Sequence, residues 1–289
     1  MRIGFHTDAF NSAVFSFEKA LDWAHKHNIH YIECGVIDGS SWIHGLGYFP
    51  HISLLDDPLS IKNKMLSRDI RFSQLDAAFP LSGLEGLSIG IQYVLKTLPW
   101  AKLTDCPNIA VTDGLNKPEG LSDERAMELM KIAFSKIVET AELYDININI
   151  EVHGYFTTKP EFLRKMLDFV DSEKLGLNLD TGNTFIAGQD PVEFCREFID
   201  RIKHVHIKDV SESLAAKLRG KETGIGISHC AVGEGVNAEN IKKVLEILRD
   251  SGYNGTLSIE CEGNGGILLE KSIEWLRKTL KELNIEEEF

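Results

Sequence analysis

Short apolar-rich runs alternate with longer amphipathic stretches from one end of the chain to the other. Eight of the short runs read as β-strands: RIGFH, YIECGV, RFSQLDA, NIAVTD, ININIEV, LGLNLD, HVHIKD and TLSIEC. Among the longer ones, ERAMELMKIAFSKIVETAELY sets Met127, Met130, Phe134, Ile137, Val138 and Ala141 at the spacing of one helix face. Further helices are predicted over SFEKALDWAHKH, DPLSIKNKMLSR, PEFLRKMLDFV, PVEFCREFIDRI, AENIKKVLEILRDSG and EKSIEWLRKTLKEL. The AENIKKVLEILRDSG run ends on a glycine suited to a C-terminal cap.

Regular βα alternation implies parallel strands joined by crossover helices, and eight units are the number that closes a (β/α)₈ TIM barrel. An open doubly wound sheet fits less well, because no G-x-G-x-x-G follows the first strand. The 289 residues match one such barrel, for which roughly 250 are typical. No Pro/Gly/Ser-rich linker divides the chain, so a single domain over 1–289 is expected. Two connections stand out. The segment 211–237 exceeds the usual βα loop, and GSSWIHGLGYFPHISLLDD carries Trp42, Tyr48 and Phe49, which suit a lid or a subunit contact in a homo-oligomer.

Composition acts mainly by exclusion. Hydrophobic (43%) and charged (26%) contents are ordinary for a globular protein, and no apolar run is long enough to span a bilayer. MRIGFHTDAF lacks a secretory apolar stretch, and the five cysteines, Cys34, Cys106, Cys195, Cys230 and Cys261, form no C-x-x-C pair. A cytoplasmic, reducing compartment is therefore expected. The formal charge of -13 repels phosphate backbones and disfavours nucleic acid as a partner.

Alternation along the strands locates the chemistry. With Ile148, Ile150 and Val152 facing the helices, Asn147, Asn149, Glu151 and His153 face the barrel interior. The same rule turns inward Asn178 and Asp180, then His204, His206 and Lys208, then Ser258, Glu260 and Glu262. Cys261 points outward into the core, and His6 faces inward below or beside the site. Buried carboxylates beside imidazoles call for compensation, which a divalent metal supplies simply. Mixed oxygen and nitrogen donors without thiolate fit manganese, cobalt, magnesium or zinc. His204 and His206 differ in depth by about 6–7 Å. His206, nearer the C-terminal strand end where barrel sites lie, is the expected ligand, His204 a deeper packing residue and Lys208 a rim residue able to pair with Glu262. His153 and Asn183 are placed to contact substrate, and His229 of the long connection to reach back toward the metal.

Together NIEVHG, NLDTGN, HVHIKD, GEG and SIECEG resemble the sugar phosphate isomerase/epimerase branch of the xylose isomerase-like barrel superfamily. The resemblance implies that Glu151, Asp180, His206 and Glu260 hold one divalent metal, Mn²⁺ foremost. It implies Glu151 and Glu260 as the acid/base pair and a small carbohydrate as substrate. The expected reaction is sugar or keto-sugar isomerisation or epimerisation, by α-proton abstraction to a metal-stabilised enediolate. A lyase that dehydrates a keto-polyol or opens a 3-keto-glycoside is the nearest alternative. An apurinic-endonuclease-like phosphodiesterase and a non-catalytic sugar-binding barrel stand further off. Asn183 departs from the histidine common at its position in epimerases and in the nucleases, which counts against a multi-zinc site, while His229 resembles a nuclease ligand position.

Overall fold

A computed structural model describes residues 1–10, 16–38, 51–221, 223–263 and 266–289. The aromatic positions 42, 48 and 49, expected in a lid or contact, lie outside the described residues. The strands are β1 (Arg2–His6), β2 (Tyr31–Ile37), β3 (Ile52–Ser53), β4 (Arg71–Pro80), β5 (Asn108–Thr112), β6 (Asn147–Glu151), β7 (Leu175–Asp180), β8 (Ile202–Ile207) and β9 (Thr256–Ile259). They pair in parallel in the order β1-β9-β8-β7-β6-β5-β4-β2-β3, and β1 also pairs with β2. All but the short β3 therefore close on themselves as the predicted eight-stranded TIM barrel.

Helices α1 (Phe17–Lys26), α2 (Pro58–Leu66), α3 (Ile91–Leu103), α4 (Asp123–Tyr144), α5 (Pro160–Leu167), α6 (Thr181–Ile186), α7 (Pro191–Phe198), α8 (Glu212–Leu218), α9 (Ala238–Asp250) and α10 (Ile267–Glu282) intervene. Local chemistry sets their ends. Ser122 caps α4 by accepting from the Arg125 N–H, and the helix stops where Asp145 turns left-handed at φ 58°. Three helices fall outside the sequence reading. Pro99 interrupts the helical pattern of α3 yet sits inside it, α6 is a single capped turn and a half after β7, and α8 shortens the irregular part of the 211–237 connection.

The main core lies between strands and helices, where Ile148, Ile150, Leu177, Leu179, Val205, Ile207, Leu257 and Ile259 are all buried. Inside the barrel the packing is polar. Asn149 Nδ2 donates to Gln74 Oε1 at 2.8 Å, Gln74 Nε2 to Glu33 Oε1 at 2.8 Å, and Asn178 Oδ1 lies 3.1 Å from His204 Nδ1. Gln74 reaches this layer because a β-bulge shifts the β2–β4 register between Ile32 and Glu33. These bonds form a floor under the C-terminal strand ends. Among the described residues no helix is long and apolar enough to cross a membrane.

Candidate metal centre

Four neighbouring strands deliver four donors to one point above this floor. Glu151 ends β6, Asp180 ends β7, His206 stands one before the end of β8, and Glu260 follows β9. One donor atom of each lies within 4.8 Å of all the others. His206 Nδ1 is 3.2 Å from Glu260 Oε2, 3.4 Å from Glu151 Oε1 and 3.7 Å from Asp180 Oδ2. Bonds of about 2.1 Å to a common ion set donors about 3.0–3.4 Å apart, so the spacing suits a single divalent cation.

Asp180 serves two purposes. Its Oδ1 caps α6, accepting from the Gly182 and Asn183 N–H groups at 2.7 Å each, which aims Oδ2 at the cluster. That Oδ2 and Glu260 Oε2 are buried without a hydrogen-bond partner. Orphaned anionic oxygens in a closed interior are costly, and a cation removes the cost. Glu33, His204 and His206 form a second grouping close enough to hold an ion. There, however, both Glu33 oxygens are already satisfied, Oε2 by His206 Nε2 at 2.8 Å and Ser258 Oγ at 2.9 Å, and Oε1 by Gln74. Orphan oxygens favour the Glu151, Asp180, His206 and Glu260 grouping over this one, and a third, Asp8, Glu260 and Glu262, has two orphan oxygens of its own but already holds the Lys208 ammonium between its glutamates.

Glu33, absent from the sequence reading, orients the histidine. By accepting from Nε2–H it leaves the Nδ1 lone pair for the pocket. Burial would raise Glu33, but the His206 and His204 imidazoles hold it down to about 2, so it stays ionised. Burial and the Glu260 charge push Asp180 up to about 7, a sign of carboxylates crowded together. Glu260 is held well below the ordinary range because Lys208 and His206 outweigh its burial. His204 goes the other way: burial lowers it to about 4, and it bonds within the floor at Asn178.

The other predicted residues surround this centre. Lys208 is not at the rim; its side chain is 1% exposed, with Nζ 2.9 Å from Glu260 Oε1 and 3.3 Å from Glu262 Oε1. A Cβ on Gly182 would lie 2.5–2.9 Å from the Lys208 stem, so glycine there is what lets the stem descend. His153 stands with Nδ1 3.4 Å from Glu151 Oε2 and Nε2 2.6 Å from Thr112 Oγ1. Asn183 is buried with Oδ1 unpartnered. His229 is exposed and lies outside the metal cluster, Nδ1 resting 2.6 Å from the Glu262 carbonyl.

His6, Asp8 and Asp76 line the remaining half of the mouth. His6 is beside the site rather than beneath it, its ring 6.0 Å from that of His206 between centroids. Burial would lower His6, but the Asp8 charge and hydrogen bond, with Glu33 and Asp76, carry it to about 10. Asp76, half-buried with Oδ1 unpartnered, is pushed up to about 7 by burial and by Glu151. Inward alternation in RIGFH was the available signal for His6, whereas a bulge ahead of Asp76 breaks the alternation of RFSQLDA.

A closed parallel barrel with a carboxylate and imidazole cluster at its C-terminal mouth defines a class, the TIM barrels whose mouth carries a candidate metal cluster. Within it, the chain belongs to the xylose isomerase-like TIM barrel family, whose model matches residues 60–279. An inosose dehydratase of Clostridium perfringens is 28% identical over 200 residues, covering 66% of this chain and 57% of that one. Another, of Clostridium botulinum, is 27% identical over 150 residues, covering 50% of each. The chain thus spans about half the length of the curated relatives it matches. Solved structures share the fold: a D-tagatose 3-epimerase-like protein (TM-score 0.77, 22% identity, 98% of both chains) and a probable 3-DHS dehydratase of Bacillus anthracis (0.74, 18%, 96% of this chain and 99% of that one). The IOLI protein, crystallised with a zinc atom, aligns with TM-score 0.71 at 16% identity over 98% of this chain and 96% of its own.

Proposed function

We propose that this chain is a dehydratase dependent on one divalent metal, acting on a polyhydroxylated ketone by removing the proton α to the carbonyl and expelling a β-hydroxyl as water. The carrying observation is the four-donor cluster with its orphaned Asp180 Oδ2 and Glu260 Oε2. Glu151, Asp180, His206 and Glu260 would hold the metal, which supplies Lewis-acid stabilisation of negative charge on the carbonyl oxygen. Mn²⁺, Co²⁺, Mg²⁺ and Zn²⁺ all suit such donors.

Glu260, kept ionised by Lys208 Nζ at 2.9 Å, and Glu151, kept ionised by His153 and His206, are the two candidate bases. They enter from either side of His206, which also favours a second reading, epimerisation, in which one glutamate removes the proton and the other returns it. The inosose dehydratases among the relatives support elimination over epimerisation as the outcome.

The test is incubation of Mn²⁺-loaded protein with an inosose and with ketohexoses in heavy water, followed by NMR. Formation of an enone is expected from the inosose, with deuterium at the α carbon of the recovered substrate wherever the carbanion is reprotonated before it eliminates. Glu260→Gln should abolish that exchange when Glu260 is the base, and Glu151→Gln when Glu151 is. Absence of both exchange and elimination in the metal-loaded wild type with every ketone refutes the reading.

A further inference from the structure

We infer that His6, held by Asp8, is the proton donor to the leaving hydroxyl; the inference rests on the dehydratase reading and assigns the half of the reaction that the glutamates leave open. Epimerisation needs only groups that take and return a carbon-bound proton. Elimination also needs an acid, because hydroxide is a poor leaving group.

Position comes first. β1 pairs with β9 so that Phe5 lies opposite Ile259, and His6 is therefore beside Glu260. On the other side of β1, His6 pairs with Glu33 of β2. The metal donors occupy β6 to β9, and β1 is the first strand beyond them, so His6 borders the space a ligand at the cluster must fill.

Access comes second. Side-chain exposure in the mouth is 10% for Glu151, 11% for Glu260 and 9% for His6, against 3% for His206, 4% for Glu262 and 1% for Lys208. The two candidate bases and His6 share the opening.

Orientation comes third. His6 Nδ1 is 3.1 Å from Asp8 Oδ1 and 3.2 Å from the Asp8 backbone N, so this nitrogen is occupied whichever tautomer the ring holds. In the imidazolium, the ring is ion-paired with the Asp8 carboxylate on its Nδ1 side at 3.1 Å, and Nε2–H is the proton available to transfer. The competing donors are committed elsewhere. Lys208 Nζ bridges Glu260 and Glu262, and the His153 nitrogens face Glu151 and Thr112. Asp76, across the mouth, is the remaining rival.

The step balances without a further reactant. A glutamate takes the α-proton, and the electron pair passes into the enolate. As the carbonyl re-forms, a double bond forms between the α and β carbons and the β C–O bond breaks. The departing oxygen takes the Nε2 proton and leaves as water. The glutamic acid and neutral imidazole re-equilibrate their protons through solvent, and Asp8, a positioning residue, never changes partner.

The experiment compares wild type, His6→Gln, Asp8→Asn and Asp76→Asn, all Mn²⁺-loaded, with inosose in heavy water, reading α-deuteration and enone formation together. In His6→Gln the ratio of elimination to exchange should fall by about 100-fold or more, with a smaller fall in Asp8→Asn, which keeps the ring but loses its anchor. With an analogue bearing fluorine in place of the leaving hydroxyl, the His6→Gln deficit should shrink below about 10-fold, since fluoride departs with little need of a proton. An equal deficit with both leaving groups, or exchange and elimination falling together, overturns the assignment. So does an uncoupling confined to Asp76→Asn, or a wild type that exchanges without eliminating. If His6→Gln does not fold, Asp8→Asn with the two leaving groups carries the same comparison. A wild type that neither exchanges nor eliminates refutes the dehydratase reading itself and takes this inference with it.

Discussion

Replacing Glu33 with glutamine probes how the centre is held without touching any of its donors. The wild-type carboxylate accepts from His206 Nε2 (2.8 Å), Ser258 Oγ (2.9 Å) and Gln74 Nε2 (2.8 Å). An amide has one accepting end, so its NH₂ must face either the His206 and Ser258 donors or the Gln74 amide. Gln74 does not compensate by flipping alone, because its Oε1 already accepts from Asn149 at 2.8 Å. One buried donor pair is thus left mismatched, which costs about 1–3 kcal/mol. Loss of the carboxylate behind a ligating imidazole weakens metal binding by about 10- to 100-fold, equivalent to about 1.4–2.8 kcal/mol. Competition against a fluorescent chelator, with Mn²⁺ and separately with Zn²⁺, measures the second quantity, and denaturant unfolding in EDTA the first. A folded Glu33→Gln protein whose metal Kd stays within about twofold of wild type would refute the orienting role, since a 10-fold loss is the least expected.

Two other outcomes follow from the same geometry. Gly182→Ala should destabilise the protein by about 1–3 kcal/mol, because the new methyl would lie 2.5–2.9 Å from Cβ, Cγ and Cδ of Lys208 and the root of that side chain cannot swing aside; chemical denaturation checks it, and a change below about 0.5 kcal/mol would contradict it. His6 titrates near 6.5 when unfolded and near 10 when folded, so its contribution to stability is complete below pH 6.5 and fades as the pH rises through about 10. The stability advantage of wild type over His6→Gln, measured in EDTA, should shrink across that window, and a constant difference would show that His6 is not stabilised as a cation.

Legibility in the sequence tracked how local each signal was. The barrel could be read because the strands carry their own apolar alternation, and Glu151, Asp180, His206 and Glu260 because each stands at or next to a strand's C-terminal end on the inward phase of that alternation. Glu33 was hidden. It is the lone charged residue of YIECGV, and its partners His206 and Ser258 lie 173 and 225 residues away. Depth was equally unreadable for Lys208. Alternation turns it inward, but only Gly182, on another strand's connection, lets it sink to its two carboxylates. Asp76 follows a bulge that breaks the phase of its strand, so its facing depended on a register the sequence does not display. Pro99 concealed α3 for the opposite reason, a strong local breaker overruled by packing.

The polar floor also ties the chemistry to the order in which the chain comes together. All four candidate metal donors lie in the second half of the sequence, yet the carboxylate bonded to His206 comes from β2. β9 and β2 are not paired as strands; β1 pairs with both, and Ser258 reaches Glu33 across the barrel interior. A folding intermediate that has assembled β6 to β9 but not yet closed against β1 and β2 would bring the donors near one another with the imidazole still free to turn. Tight metal uptake would then report ring closure against β1 and β2, and its rate would follow closure rather than diffusion of the ion.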